Sequence, residues 1–130
     1  MPIRVVRLGQ PRAESEGIRL GTVRRPPRGV KKSDFARDDW YDVWLPDLAP
    51  SAQLVSWATA EAWTDGRWKR FRREYLREMK TPSTQRLIQV LAALSQNSNF
   101  SVGCYCDDES RCHRSLLREI LVEAGAELER

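Results

Sequence analysis

The sequence predicts a three-layer α/β sandwich built on a small, mostly parallel sheet. Two observations predict it. Three short apolar runs of strand type alternate with three or four segments of helical periodicity. The most apolar run, Phe100 to Cys106, lies between two amphipathic helices, as a strand buried on both faces would.

The elements follow in order. Ile3 to Leu8 alternates weakly around Val5 and Val6 and reads as a first strand, followed by a loop from Gly9 to Gly17. Ile18 to Val23 reads as a second strand. It runs into Arg24-Arg25-Pro26-Pro27-Arg28-Gly29, a rigid basic loop, because proline fixes φ and removes a backbone donor. Residues 31–49 read as irregular, and Pro50-Ser51 opens a short helix to about Trp57. Residues 59–66 form a connector ending in Asp65-Gly66, a turn signal.

Trp68 to Lys80 is the clearest helix, with Trp68, Phe71, Tyr75 and Met79 on one apolar face. The next runs from Pro82 to Ser95, with Thr81 as its cap, Pro82 at the first helical position, and Leu87, Leu91 and Leu94 on one face. After a turn at 97–99 comes the buried strand. The last helix starts within Ser110 to His113, carries Leu116, Leu117, Ile120, Leu121 and Ala124, and stops at Gly125, which suits the left-handed cap. Ala126 to Leu128 adds a short edge strand.

At 130 residues, 41% hydrophobic and 31% charged, the chain fits one domain over residues 1–130 with a core that needs no disulfide or metal staple. A net charge of +4 favours anionic partners without demanding one. No stretch has the length of a membrane span, and no signal-peptide core follows Met1, which leads to no membrane and a cytoplasmic location. Cys104, Cys106 and Cys112 are odd in number and clustered, unlike a secreted disulfide scaffold, so reduced thiols are expected.

The segment from Val102 to Arg114 places reactive side chains between a buried strand and a helix start. Ligands of open α/β sheets bind outside the carboxyl ends of the strands, and a helix N-terminus offers free N–H groups to an anion. It also lowers the pKa of a cysteine lying on it. Cys112 and His113, the sole histidine, are therefore the candidate catalytic residues. Arg24, Arg28, Cys104 and Arg114 are the candidate ligand-binding residues; Cys104 also reads as core packing.

Three sharper chemistries were weighed. A phosphatase-type loop needs cysteine, five residues and arginine, whereas Cys104 to Arg111 encloses six and Cys106 to Arg111 encloses four. A Zn²⁺ or iron–sulfur site on Cys104, Cys106, Cys112 and His113 lacks ordinary two-knuckle spacing, so no metal and no cofactor are expected. A redox pair, Cys104–Cys106 or Cys106–Cys112, rests on proximity alone.

Three stretches resemble the DUF488 family of uncharacterised bacterial proteins, including its branch named after YeaO. They are Cys104 with Cys112-His113-Arg114-Ser115-Leu116-Leu117, Trp44 to Ser51 with Trp57 and Trp68 to Leu76, and Pro27-Arg28-Gly29. Arg24 is kept before that turn, while Val23, Arg25 and Pro26 replace the aspartate, leucine and tryptophan. Cys106 stands where many relatives have glutamate. The resemblance implies a Rossmann-like or flavodoxin-like fold and supplies no activity.

Two functional readings follow. In the first, Arg24, Arg28 and Arg114 clamp an anionic small molecule or nucleotide while His113 or Cys112 acts on it; whether the chain is an enzyme stays open. In the second, the basic loop and the stripe Lys69, Arg73, Arg77 and Lys80 bind nucleic acid. A concave pocket at Cys112–Arg114 marks the first, and a continuous convex basic face the second. The five tryptophans, all between residues 40 and 68, read mainly as packing anchors. Oligomeric state is left open.

Overall fold

A computed structural model describes residues 2–129. Four parallel strands form one sheet in the order β1-β4-β2-β3: β1 Ile3–Arg7, β2 Ile18–Gly21, β3 Val43–Trp44 and β4 Phe100–Cys104. β4 is central, paired in parallel with β1 (Ile3 opposite Phe100) and with β2 (Leu20 opposite Val102). All five of its residues are buried, as its apolar run predicts. The strand ends earlier than Cys106, and β2 ends before Val23. The tail meets the sheet edge as one parallel bridge, Ile3 with Leu128.

Four helices follow the expected order: α1 Ala52–Thr59, α2 Asp65–Glu78, α3 Pro82–Leu94 and α4 His113–Glu123. All four contribute to one core with a single sheet face. Leu54, Phe71, Tyr75, Ile88, Leu91, Leu117 and Leu121 pack with Ile3, Phe100 and Val102. The third layer, on the opposite face, consists of irregular chain from 9–17 and 31–42 rather than α-helix. Tyr41 lies on Gly21 there, with ring carbon Cδ2 2.3 Å from where a Cβ would stand, so only glycine fits at that position.

The structure corrects several local readings. Asp65-Gly66 is not a turn: Thr64 caps α2, its hydroxyl accepting from the Arg67 N–H at 3.1 Å, and Asp65 opens the helix, where its charge suits the dipole. In α3 the buried residues are Ile88, Leu91 and Ala92 while Leu94 is exposed, so the apolar face is rotated from the one the leucines suggest. Thr81 holds the cap position, but its hydroxyl donates to Thr84 Oγ1 instead of accepting from the helix backbone. The 31–49 stretch contains β3, whose Val43 and Trp44 are both exposed, so it carries no buried-strand signature. Gly125 does take positive φ (+93°) beyond α4.

The underside of the sheet holds a buried ion pair. Arg19 and Glu16 are 1% and 2% exposed. Arg19 Nε and Nη2 donate to Glu16 at 2.7 and 3.0 Å, and Nη1 donates to the carbonyls of Gln10 and Asp39 at 2.9 and 2.6 Å. Ser101 of β4 donates to the same carboxylate at 2.7 Å. Burial works to raise the Glu16 pKa, but the Arg19 and Ser101 bonds outweigh it and hold the carboxyl below its ordinary range. Breaking such a pair from one side leaves an uncompensated charge, at a cost of about 3–5 kcal/mol. Glu16→Gln is therefore expected to lower stability by about that amount in denaturant unfolding. Because the folded pKa is depressed, the Glu16 contribution is complete above the ordinary carboxylate range and is lost as pH falls through the folded value. The acid limb of the wild-type stability curve should flatten in the variant.

Candidate functional site

Because β2 and β4 are parallel, the loops leaving their carboxyl ends emerge at one edge. There they meet the start of α4 and border a cavity of about 880 Å³. The three cysteines and His113 lie on its wall, with Leu8, Val23, Pro27, Val55, Ala58, Trp63, Phe71 and Tyr105 supplying apolar surface. Arg7, Arg24, Arg25, Arg28 and Arg111 also border it.

The sequence separates the cysteines, and the fold brings their sulfurs within 4.8 Å of one another. Cys104 ends β4, Cys106 lies two residues on, and Cys112 is the N-cap of α4. The Cys104 and Cys106 sulfurs are 3.6 Å apart, and all three thiols are free. Contact with the Cys106 thiol pushes the Cys104 pKa up, and burial adds to this. Cys106 is pulled down by Cys104 but pushed up more by Cys112 and burial, to about 11. Cys112 is driven down, first by the Cys104 thiol, then by Cys106 and His113. Cys112 is also the N-cap of α4, and the positive end of that helix acts on its thiol in the same direction.

His113 is buried. Its Nε2 lies 2.7 Å from the Thr22 carbonyl, which only accepts, so Nε2 carries the hydrogen and donates. Nδ1 faces Cys112 Sγ at 3.7 Å. Thr22 is fixed in turn, its N–H and hydroxyl both donating to the Gly103 carbonyl at 3.0 and 2.9 Å. Tyr75 packs against the imidazole at 5.6 Å between centroids and donates to the Leu48 carbonyl at 2.7 Å.

The acidic run before α4 does not cap that helix. Asp107 pairs with Arg7, Asp108 caps the 3-10 turn at 109–111, and Glu109 pairs with Arg118 at 2.7 Å. The candidate arginines separate in role. Arg24 is spent on the chain: Nε donates to the Pro50 carbonyl at 2.9 Å, and Nη2 to Pro46 and Ala49 at 3.2 and 3.3 Å. Arg114 is buried behind the thiols, with Nη2 donating to the Cys106 carbonyl at 2.6 Å and Nε without a partner. Arg28 is exposed at the rim and, like its neighbour Arg25, makes no ion pair among the described residues.

Sequence reasoning names Cys106 only in the metal and redox alternatives and Arg25 only within the basic loop, and it gives Thr22 and Tyr105 no role at the candidate site. Tyr105 follows the central strand and donates to the Arg25 carbonyl at 2.9 Å, joining the two loops. Its place at the carboxyl end of the apolar run 100–106 was the available signal.

These features define a class: a small parallel α/β domain whose carboxyl edge carries a pocket walled by thiols and a histidine. The family model DUF488-N3a, described as the active DUF488-N3 subclade, matches residues 3–125, and the chain belongs to this family. The match names this subclade and not the YeaO-like branch. No curated protein and no solved structure matches the chain. No helix among the described residues is long and apolar enough to cross a membrane.

Arg24 offers a test of positioning against ligand contact. Its three bonds hold the 46–50 segment to the end of β2, and hydrogen bonds from a charged donor contribute about 1.5–3 kcal/mol. Arg24→Ala is expected to lose at least that much stability in urea unfolding. An unchanged midpoint would show that these bonds do not hold the segment.

Proposed function

We propose that the pocket binds a small anionic ligand of nucleotide size, with its charged group at Arg28 and Arg25 and its apolar body toward the thiol-bearing wall. The single observation carrying this reading is the cavity at the Cys112–His113 corner, bordered by two arginines that pair with no carboxylate among the described residues. The other rim arginines differ: Arg7 pairs with Asp107 and Arg111 with Asp65 at 3.0 Å. A volume of about 880 Å³ suits a small-molecule site, and the aromatic and proline surfaces suit a flat ring. Cys112, whose sulfur lies 3.7 Å from His113 Nδ1, is the group we assign to act on a bound ligand.

The anion is placed at the rim, not on the α4 N-terminus. The Cys112 thiol is shifted toward its charged form at that terminus, which disfavours an anion there. Arg24 and Arg114 support this site from behind, and Cys104 forms part of its wall. A nucleic-acid surface on the α2 stripe has less support, since Arg77 pairs with Glu74 and the neighbouring Arg72 with Glu119.

The test is a chemical-shift titration of inorganic phosphate and nucleoside monophosphates, with chelator present, against wild type and Arg28→Ala. Shifts are expected at residues 23–28, 104–106 and 112–113. Loss of one charge-assisted contact should weaken binding by about 10- to 100-fold. Shifts confined to Lys69–Lys80, or equal binding by the variant, would overturn the assignment.

A further inference from the structure

We infer that Cys104, Cys106 and Cys112 together bind one thiophilic divalent ion of the Zn²⁺ class. The inference rests on the sulfur geometry and does not depend on the anion reading. A tetrahedral ion with Zn–S bonds of about 2.3 Å needs its sulfurs about 3.8 Å apart. Cys104 and Cys106 are already 3.6 Å apart, and all three sulfurs lie within 4.8 Å, so a shift of a few tenths of an ångström to an ångström closes the set. The three come from a strand end, a loop and a helix cap, the loop residue Cys106 being held through its carbonyl by Arg114.

Two further features fit an ion at this point. His113 gives its Nε2 hydrogen to the Thr22 carbonyl, the arrangement that orients a metal-facing imidazole, and its Nδ1 is turned toward the cluster at 3.7 Å from Cys112 Sγ. The buried Arg114 guanidinium, 4% exposed, makes no ion pair among the described residues and has an unpartnered Nε. Binding displaces to solvent whatever protons the three thiols still carry, and three thiolates around one dication leave a complex of net charge −1. Arg114, bonded to the Cys106 carbonyl, and the α4 N-terminus supply the balancing positive charge. The fourth position falls to His113 Nδ1 or to a ligand entering from the cavity. Cys106 is exposed, which gives the ion a way in.

The missing two-knuckle spacing does not count against the site. That spacing reflects tight turns that each supply two ligands, and here a parallel strand and a helix start bring the third sulfur back.

The experiment uses the full chain, freed of metal and kept reduced with a phosphine. Zn²⁺ is titrated against a chromophoric chelator, and Co²⁺ serves as the spectroscopic probe. The expected result is one ion per chain, with near-ultraviolet sulfur-to-cobalt charge transfer of three thiolates and the intense visible bands of a tetrahedral ion. Cys106→Ser, at an exposed position, should weaken Zn²⁺ binding by at least the roughly 10- to 100-fold that loss of even an outer-shell partner costs, and reduce the charge-transfer band. Cys104→Ser and Cys112→Ser should do the same where circular dichroism shows them folded. Absence of stoichiometric binding by wild type, or a Cys106→Ser variant that binds equally well, would overturn the site. The phosphate titration runs in chelator, so the two proposals fail separately.

Discussion

A buried imidazole must place both of its nitrogens, and His113 places Nε2 against the carbonyl of Thr22 at 2.7 Å. That bond ties the first turn of α4 to the end of β2, across the end of β4. Its geometry sets three things at once. It fixes which nitrogen carries the hydrogen, it turns Nδ1 toward Cys112, and it holds the basic loop beside the thiols. Tyr75 packs on the other side of the ring and anchors itself to Leu48, so α2 and the 46–48 turn brace the same point. The thiol corner is therefore braced from three elements, while Arg25 and Arg28 on the loop side are exposed.

The opposite face of the sheet explains how so small a structure keeps its central strand straight and buried. Without helices to cover that side, the 9–17 and 31–42 segments must do so, and irregular chain brings unpaired carbonyls with it. Arg19 donates to the Gln10 carbonyl and shares the Asp39 carbonyl with the Gly9 N–H, while its charge is balanced by Glu16. Glu16 in turn accepts from Ser101 at the middle of the sheet. The cluster satisfies polar groups that burial would otherwise leave without partners, which is the condition under which a buried charge is tolerated.

Much of this architecture is legible in the residues. The apolar run at 100–104 stands out as a central strand because both faces are covered, and α2 is plain because Phe71, Tyr75 and Met79 share a face. The corner at Cys112 and His113 follows from the parallel-sheet rule that sites form at carboxyl ends. What the residues hide is set by tertiary contact. β3 is two exposed residues whose pairing comes from the neighbour, not from their pattern. Arg24 reads as a free cation because the carbonyls that occupy it lie more than twenty residues away. The convergence of three sulfurs depends on how residues 105–112 turn back onto the strand, and no spacing rule encodes that path.

The thiol corner depends on the hydrogen borne by His113. Long-range proton–nitrogen correlation on uniformly labelled, metal-free protein at neutral pH reads the hydrogen on each ring nitrogen. It should find Nε2 protonated and its hydrogen protected from exchange, as a buried donor to the Thr22 carbonyl requires. A ring with its lone pair on Nε2 and its only hydrogen on Nδ1 would contradict the account, because Thr22 would then face no donor and the thiol corner would lose the bond that assembles it.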